Sequence, residues 1–393
     1  MALTPYLREI PRLLRLSGPI MVAQMAQTAM SFVDTLMAGQ VSAVDLAAVA
    51  VATSFWLPLI LLVQGVIMAL TPIISQLNGA RRYGEIAGAV HQGFWLTILV
   101  TLPAMAALYF SPLTLEMMKV EPELASKTAG YLHAILWGMP AYALYQVLRN
   151  FSEGLSYTLP TMIIGFAGLL VNIPTNYVLI HGKLGFPALG GVGCGYASAL
   201  VFWVMLIAMI LYTRRSAILQ PFAVLSSLTA PNWPQIGRIF KLGYPIAMAI
   251  FCEVTLFTVV ALLLAPLGAE VVAGHQIAIN FSSLIFMLPL SLGMAMTIRV
   301  GHSLGENQAD KARRVSIIGI VFGAMLALMT ALATVAARYW ISDLYTDNAY
   351  VLELASSLLL LAALYQISDA TQIIAAAALR GYKDTQAIFY ITL

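Results

Sequence analysis

The chain has 393 residues, of which 61% are hydrophobic and only 9% charged, with mean hydropathy +0.88 and formal net charge +3. Soluble domains carry roughly 45–50% apolar and about 25% charged residues. This composition therefore excludes a water-soluble globular domain and requires an integral membrane protein; its apolar runs of near or above ~20 residues point to helices and exclude a β-barrel, whose strands alternate over about 10 residues.

The elements are predicted in chain order as follows. No short cleavable apolar segment opens the chain, so the first run, 16–38, is a retained span. It carries Gln24, Gln27, Ser31 and Asp34 at spacings of 3, 4 and 3, on one helical face. Spans 46–75, 91–111 and 129–149 follow. The fifth, 160–180, sets Asn172, Thr175 and Asn176 on one face, and the sixth covers 193–213. Gly191-x-x-x-Gly195 at its start reads either as close helix packing or as a flexible loop. Residues 214–241, with three prolines and four basic residues, form a connector. Span seven, 242–265, contains Glu253, and span eight, 271–298, contains Gln276, Asn280 and Ser283. Span nine is 315–337, and span ten, 351–378, places Tyr365, Asp369 and Gln372 at spacings of 4 and 3. An eleventh starts near Gln386, but eight residues do not cross a ~30 Å core, so the chain reads as ending inside a span. Pro58, Pro72, Pro140, Pro174 and Pro289 fall within spans or at their edges, where they bend helices.

Charge orients these spans. With the N-terminus in the cytoplasm, sixteen Lys and Arg lie in inner segments, Arg149, Arg299 and Arg380 among them, against four in outer ones: Lys119, Lys127, Lys183 and Arg338. The chain also repeats. A shift of 226 places Leu16-x-x-Pro19-Ile20 on Leu242-x-x-Pro245-Ile246, Thr71 on Thr297 and Gly79 on Gly305; a shift of 227 places Gly154 on Gly381 and Thr158 on Thr385. An even number of spans separates equivalents, so both copies share one orientation, as in transporters built from parallel repeats. The expected architecture is all-α, with two pseudo-symmetric six-helix lobes: residues 1–213, the connector 214–241, and 242–393 as an incomplete second lobe.

Three carboxylates, Asp34, Glu253 and Asp369, sit inside apolar runs, where a charge costs at least ~2.5 kcal/mol on insertion scales. Interhelical hydrogen bonding accounts for amides and hydroxyls such as Gln24, Gln27, Asn280, Ser283 and Gln372, but does not need an ionisable group. A carboxyl so placed either takes a proton or, paired beside a phenol or amide oxygen, holds a dehydrated cation; the spacing leaves both open. His275 has no partner at metal spacing and reads as a satisfied helix-end residue, while Cys194 and Cys252 form no disulfide framework. No zincin helix, Walker loop or nucleophile elbow occurs, so no enzyme is expected and uphill transport would draw on an ion gradient.

Several collinear runs resemble the multidrug and toxic compound extrusion (MATE) transporters. The first is Gly18-Pro19-Ile20 through Phe32-Val33-Asp34 to Ala38-Gly39. Ala273-Gly274-His275-Gln276-Ile277-Ala278, Pro289-Leu290-Ser291-Leu292-Gly293, Arg299-Val300-Gly301, Asn172-Ile173-Pro174, Lys183-Leu184-Gly185-Phe186-Pro187 and Leu379-Arg380-Gly381 are similar to the family's NorM branch. The resemblance spans essentially the whole chain, departing only where spans eleven and twelve are missing. It implies two lobes around a central cleft, and a monomeric, multi-pass protein of the bacterial inner membrane that exports amphipathic cationic drugs in exchange for Na+ or H+. No cofactor and no nucleic-acid partner are implied. Residue by residue, it assigns the first-span acid to Asp34, the fifth-span amide to Asn172 and a second-lobe cation site, with Na+ as one candidate occupant, to Glu253, Tyr365 and Asp369. Gln24, Gln27, Ser31, Asn172, Asn176, Gln276, Asn280, Ser283 and Gln372 are expected to line polar pockets. A flippase of the same superfamily would instead need a basic cleft, and an uncoupled channel would need no ion gradient.

Overall fold

The computed structural model describes residues 8–264, 268–346 and 348–392. Among them every regular element is helical: α1 (Glu9–Val41), α2 (Ala43–Ile67), α3 (Leu70–Gly79), α4 (Tyr83–Tyr109), α5 (Ser111–Met117), α6 (Pro122–Leu136), α7 (Met139–Gly154), α8 (Leu159–His181), α9 (Gly191–Arg215), α10 (Trp233–Leu264), α11 (Ala269–Gly305), α12 (Ala309–Asp343), α13 (Ala349–Tyr382) and α14 (Thr385–Thr392). The predicted connections at 1–7 and 265–267, and Leu393, lie outside the described residues. Large apolar side chains cover the outer surface, as on Leu332, Leu361 and Leu364, which suits lipid and would not suit water.

Two predicted spans are interrupted, and proline accounts for both breaks. A proline ring clashes with the carbonyl four residues earlier. Pro72 thus ends α2 before Met68, and Pro140 ends α6 at Leu136. By length and composition, eight described segments are long and apolar enough to cross a membrane, against ten expected. The two that fall short are the predicted first and fourth spans. α1 interrupts its apolar face with Gln24, Gln27 and Asp34, and the fourth is divided into the short helices α6 and α7.

The packing follows the repeat. In the first half α8 packs on α1 and α9, and α9 on α6 and α7; in the second, α11, α12 and α13 pack on one another. The halves meet where α10 crosses α2 and where α11 crosses α1 and α3. The predicted glycine equivalences are visible as reciprocal contacts. A Cβ on Gly79 would overlap the His302 carbonyl, and one on Gly305 that of Gln76; both pairs are related by the same 226 shift. Likewise Gly154 faces Ile74 and the Thr71 carbonyl, while Gly381 faces Val300 and the Thr297 carbonyl. Only glycine lets these backbones approach so closely. The Arg299–Glu9 ion pair at 2.6 Å and the bond from Gln76 Nε2 to the Gly381 carbonyl, 3.0 Å, join the halves on the same face.

Three sequence readings change. Arg149 is 1% exposed and pairs at 2.7 Å with the equally buried Glu153 on α7, and Arg380 is 5% exposed, so neither is a surface-loop cation. The connector is strapped to α4 rather than free: His91 Nε2 meets the Val224 carbonyl at 2.8 Å, Trp95 donates to the Thr229 carbonyl at 2.9 Å, and Gln92 Oε1 accepts from the Asn232 amide at 2.7 Å. Its last nine residues, from Trp233, are already the start of α10. Gly191-x-x-x-Gly195 is close packing, because a Cβ on Gly195 would lie 2.8 Å from the Tyr131 carbonyl.

Candidate functional site: two carboxylate sites

Asp34 lies about two turns before the end of α1. Asn172 and Asn176, one turn apart on α8, share the face that meets it, and Ser198 approaches from α9. Asp34 Oδ1 accepts from Asn172 Nδ2 at 3.1 Å and Asn176 Nδ2 at 2.6 Å, and Oδ2 accepts from Ser198 Oγ at 2.7 Å. Its main-chain carbonyl accepts a weak bond from Cys194 Sγ, 3.5 Å. The carboxylate is 6% exposed and both asparagines are fully buried. An ionised carboxylate only accepts hydrogen bonds, so three convergent donors are what its burial requires. The asparagine Oδ1 atoms find no donor among the described residues. Ser198 escapes the sequence reading: its only cue is Cys194 one turn earlier, inside a run of small residues.

The rest of the predicted first-lobe face does not converge on Asp34. Gln24 and Gln27 are half-buried, with Gln24 Oε1 and Gln27 Nε2 unpartnered among the described residues, and Ser31 is exposed. A separate anchor lies beyond the first span. Asp45, 3% exposed, accepts from Ser42 Oγ at 2.5 Å, the Gly191 amide at 2.8 Å and Lys127 Nζ at 2.9 Å, joining α2, α6 and α9. It stands one residue outside the predicted second span, which is why a search for acids inside spans misses it.

Glu253 on α10 and Asp369 on α13 are brought together. Both line a cavity of about 490 Å³ between α10, α11, α13 and Ser54 of α2. Gln276, Ser283 and Tyr365 join them there, with the unforeseen Phe257 and Phe286 as apolar walls. Asn280 is exposed and lines none of the described cavities, because helical spacing turns it away from Gln276 and Ser283. On the far side of the acids a smaller cavity, about 40 Å³, is lined by Glu253, Asp369, Gln372 and Arg380. Positions 369, 373, 376 and 380 of α13 share one face, so Arg380 reaches the acids from below. Its Nε and Nη2 are buried without a hydrogen-bond partner among the described residues.

No described donor bonds to Glu253 or Asp369, so their oxygens are free to ligate. Two carboxylates and a phenol on one cavity form a donor set suited to a small hard cation. No cluster of three His, Cys, Asp or Glu able to hold a metal occurs among the described residues. His275, expected as satisfied, has its Nδ1 buried without a partner instead, since its helix-end position in α11 faces no acceptor.

Comparison with known proteins gives one family. The MatE family profile matches residues 19–178 and 245–393. The chain is 53% identical over 387 residues to a multidrug resistance protein NorM of Aliivibrio fischeri, covering 98% of this chain and 84% of that protein. It is 54% identical to a multidrug resistance protein MdtK of Yersinia enterocolitica, covering 98% and 85%. Among solved structures, the MATE transporter NorM-NG, crystallised with a bound small molecule and a monobody, superposes with TM-score 0.79 at 32% identity, over 96% of this chain and 82% of that one. The eukaryotic MATE transporter AtDTX14 shares the fold, with TM-score 0.88 at 22% identity, over 98% and 86%. With the profile matching most of its length and relatives more than half identical across nearly all of it, the chain belongs to the MatE family, as a multi-pass membrane transporter and not an enzyme.

Proposed function

We propose that the chain is a multidrug efflux antiporter that exports amphipathic cationic drugs in exchange for Na+ or H+ by alternating access. The observation that carries this reading is the cavity of about 490 Å³, which combines two carboxylates free of donors with phenylalanine walls. Acid attracts a cation and the aromatic wall attracts its apolar body. Its lining includes no basic residue among those described, which speaks against a flippase for pyrophosphate-linked lipids. The names of the NorM and MdtK relatives point the same way.

In the proposed cycle Na+ or H+ enters at Glu253, Asp369 and Tyr365, drug leaves, and the opposite state exchanges the ion for new drug. Only a difference in ion affinity between the two states drives the shift. The proposed lobes, 1–213 and 242–393, rock about the crossings of α10 on α2 and of α11 on α1 and α3. The positive-inside count supports an N-terminus in the cytoplasm of an inner-membrane protein. The cross-half contacts named above then close the cytoplasmic side, an outward-facing state. Asp34 is the proton-responsive acid of the first lobe, and the working unit is a monomer. The deciding experiment is drug efflux from proteoliposomes with the Na+ and pH gradients imposed separately. Efflux should follow one of them; indifference to both would sink the antiporter reading.

A further inference from the structure

A second large cavity, about 760 Å³, lies at the seam of the two halves on their basic face, away from the carboxylates. Five segments supply it: Gln76 from α3, Arg82 and Glu85 at the start of α4, Gln235 and Arg238 from α10, Asn307 after α11 and Lys383 after α13. Its volume is that of a small-molecule site, about 300–1,000 Å³. Arg82 is neutralised by Glu85, which it grips through Nε at 2.6 Å and Nη2 at 2.7 Å. Arg238 and Lys383 have no ion-pair or hydrogen-bond partner among the described residues, so the cavity holds two uncompensated cations. Burial first, and the Arg82 charge second, hold the Lys383 ammonium below its ordinary range. The turns are therefore pressed together against their own repulsion.

The repeat makes this charge specific. Under the 226 and 227 shifts Arg82 corresponds to Gln308, Lys383 to Ser156 and Arg238 to Arg12. Arg12 is already paired with Glu9 at 2.6 Å. The duplicated scaffold thus carries free cations at one of its two equivalent positions only. Leu77, Leu242 and Leu304 give the same cavity apolar walls. Cations at helix ends, next to apolar surface and at headgroup depth, match an amphiphile with an anionic head.

We propose that this pocket binds the phosphate of an anionic lipid headgroup through Arg238 and Lys383, and so fastens the two halves together on this face. The phosphate supplies the missing counter-charge between segments of both halves, and the leucines take the start of the acyl chains. The test uses the full chain in neutral detergent at constant ionic strength. Thermal unfolding is followed against short-chain phosphatidylglycerol, short-chain phosphatidylcholine and inorganic phosphate. Phosphatidylglycerol should raise the midpoint saturably, and phosphatidylcholine should not. Arg238→Gln with Lys383→Gln should weaken the response about tenfold or more, while Arg238→Lys with Lys383→Arg retains it. Arg238 is exposed, so the single Arg238→Gln variant folds and reports even where the double variant does not. An equal response to inorganic phosphate would assign the site to a free phosphate source; no response to either would mark binding at the lipid belt and overturn the proposal. Equal responses to the two lipids, or an unchanged affinity in Arg238→Gln, would overturn it as well.

Discussion

The two carboxylate sites differ in how their charge is compensated. Asp34 is closed: three donors from two helices meet its oxygens, and it is 6% exposed. Glu253 and Asp369 are open: no described donor bonds them and they face a cavity of about 490 Å³. A carboxylate whose lone pairs are taken by fixed donors is held in place by the fold. One whose lone pairs face a cavity must find its partner in an ion or a ligand. The repeat sharpens the contrast, because the equivalents of Glu253 and Asp369 in the first half are Gln27 and Tyr142. There Tyr142 donates to Gln64 Oε1 at 3.0 Å, an ordinary interhelical bond where the second half keeps an acid.

That contrast separates effects on transport from effects on stability. The largest change is expected in Glu253→Gln with Asp369→Asn, where gradient-driven drug efflux from proteoliposomes should fall to the level of empty vesicles. Undiminished efflux would remove the open site from the coupling mechanism. Next, Asp34→Ala should destabilise the protein by about 2–3 kcal/mol, because the amides of Asn172 and Asn176 lose their acceptor inside the fold. Thermal unfolding in detergent measures it, and an unchanged midpoint would show that the closed site is not structural. Ser198→Ala removes one of the three donors and should cost about 1.5 kcal/mol in the same measurement. The smallest change is expected in Glu253→Gln alone, within about 0.5 kcal/mol of the parent in stability, since no described bond is broken. A large loss there would mean that the open site is also held by the fold.

Much of this is legible in the order of residues. The period of the apolar runs places the helices, and burial cost singles out Asp34, Glu253 and Asp369 without knowledge of any contact. Asn172 and Asn176 stand out because they repeat one turn apart on one face. Ser198 does not, since a hydroxyl among small residues costs little in a span and leaves no pattern. Asn280 misleads for a related reason: Gln276, Asn280 and Ser283 fit a helical stripe, but a stripe of that width has two edges, and only one faces the cavity. Arg149 and Arg380 read as surface cations because they stand at span ends. Packing there buries whole turns, and their charge is met or stranded inside the protein.

The sequence by itself determined a helical membrane protein, its duplicated scaffold and the acids that break the duplication, because periodicity, burial cost and collinear identities are all properties of order along the chain. Tertiary structure alone decided which acids are satisfied and which are open, which glycines carry the seam, and where uncompensated cations gather. Those are properties of distance between segments as far apart as Arg82 and Lys383. Hydrogen bonds and charge repulsion act over a few ångströms in space, whatever the separation in sequence.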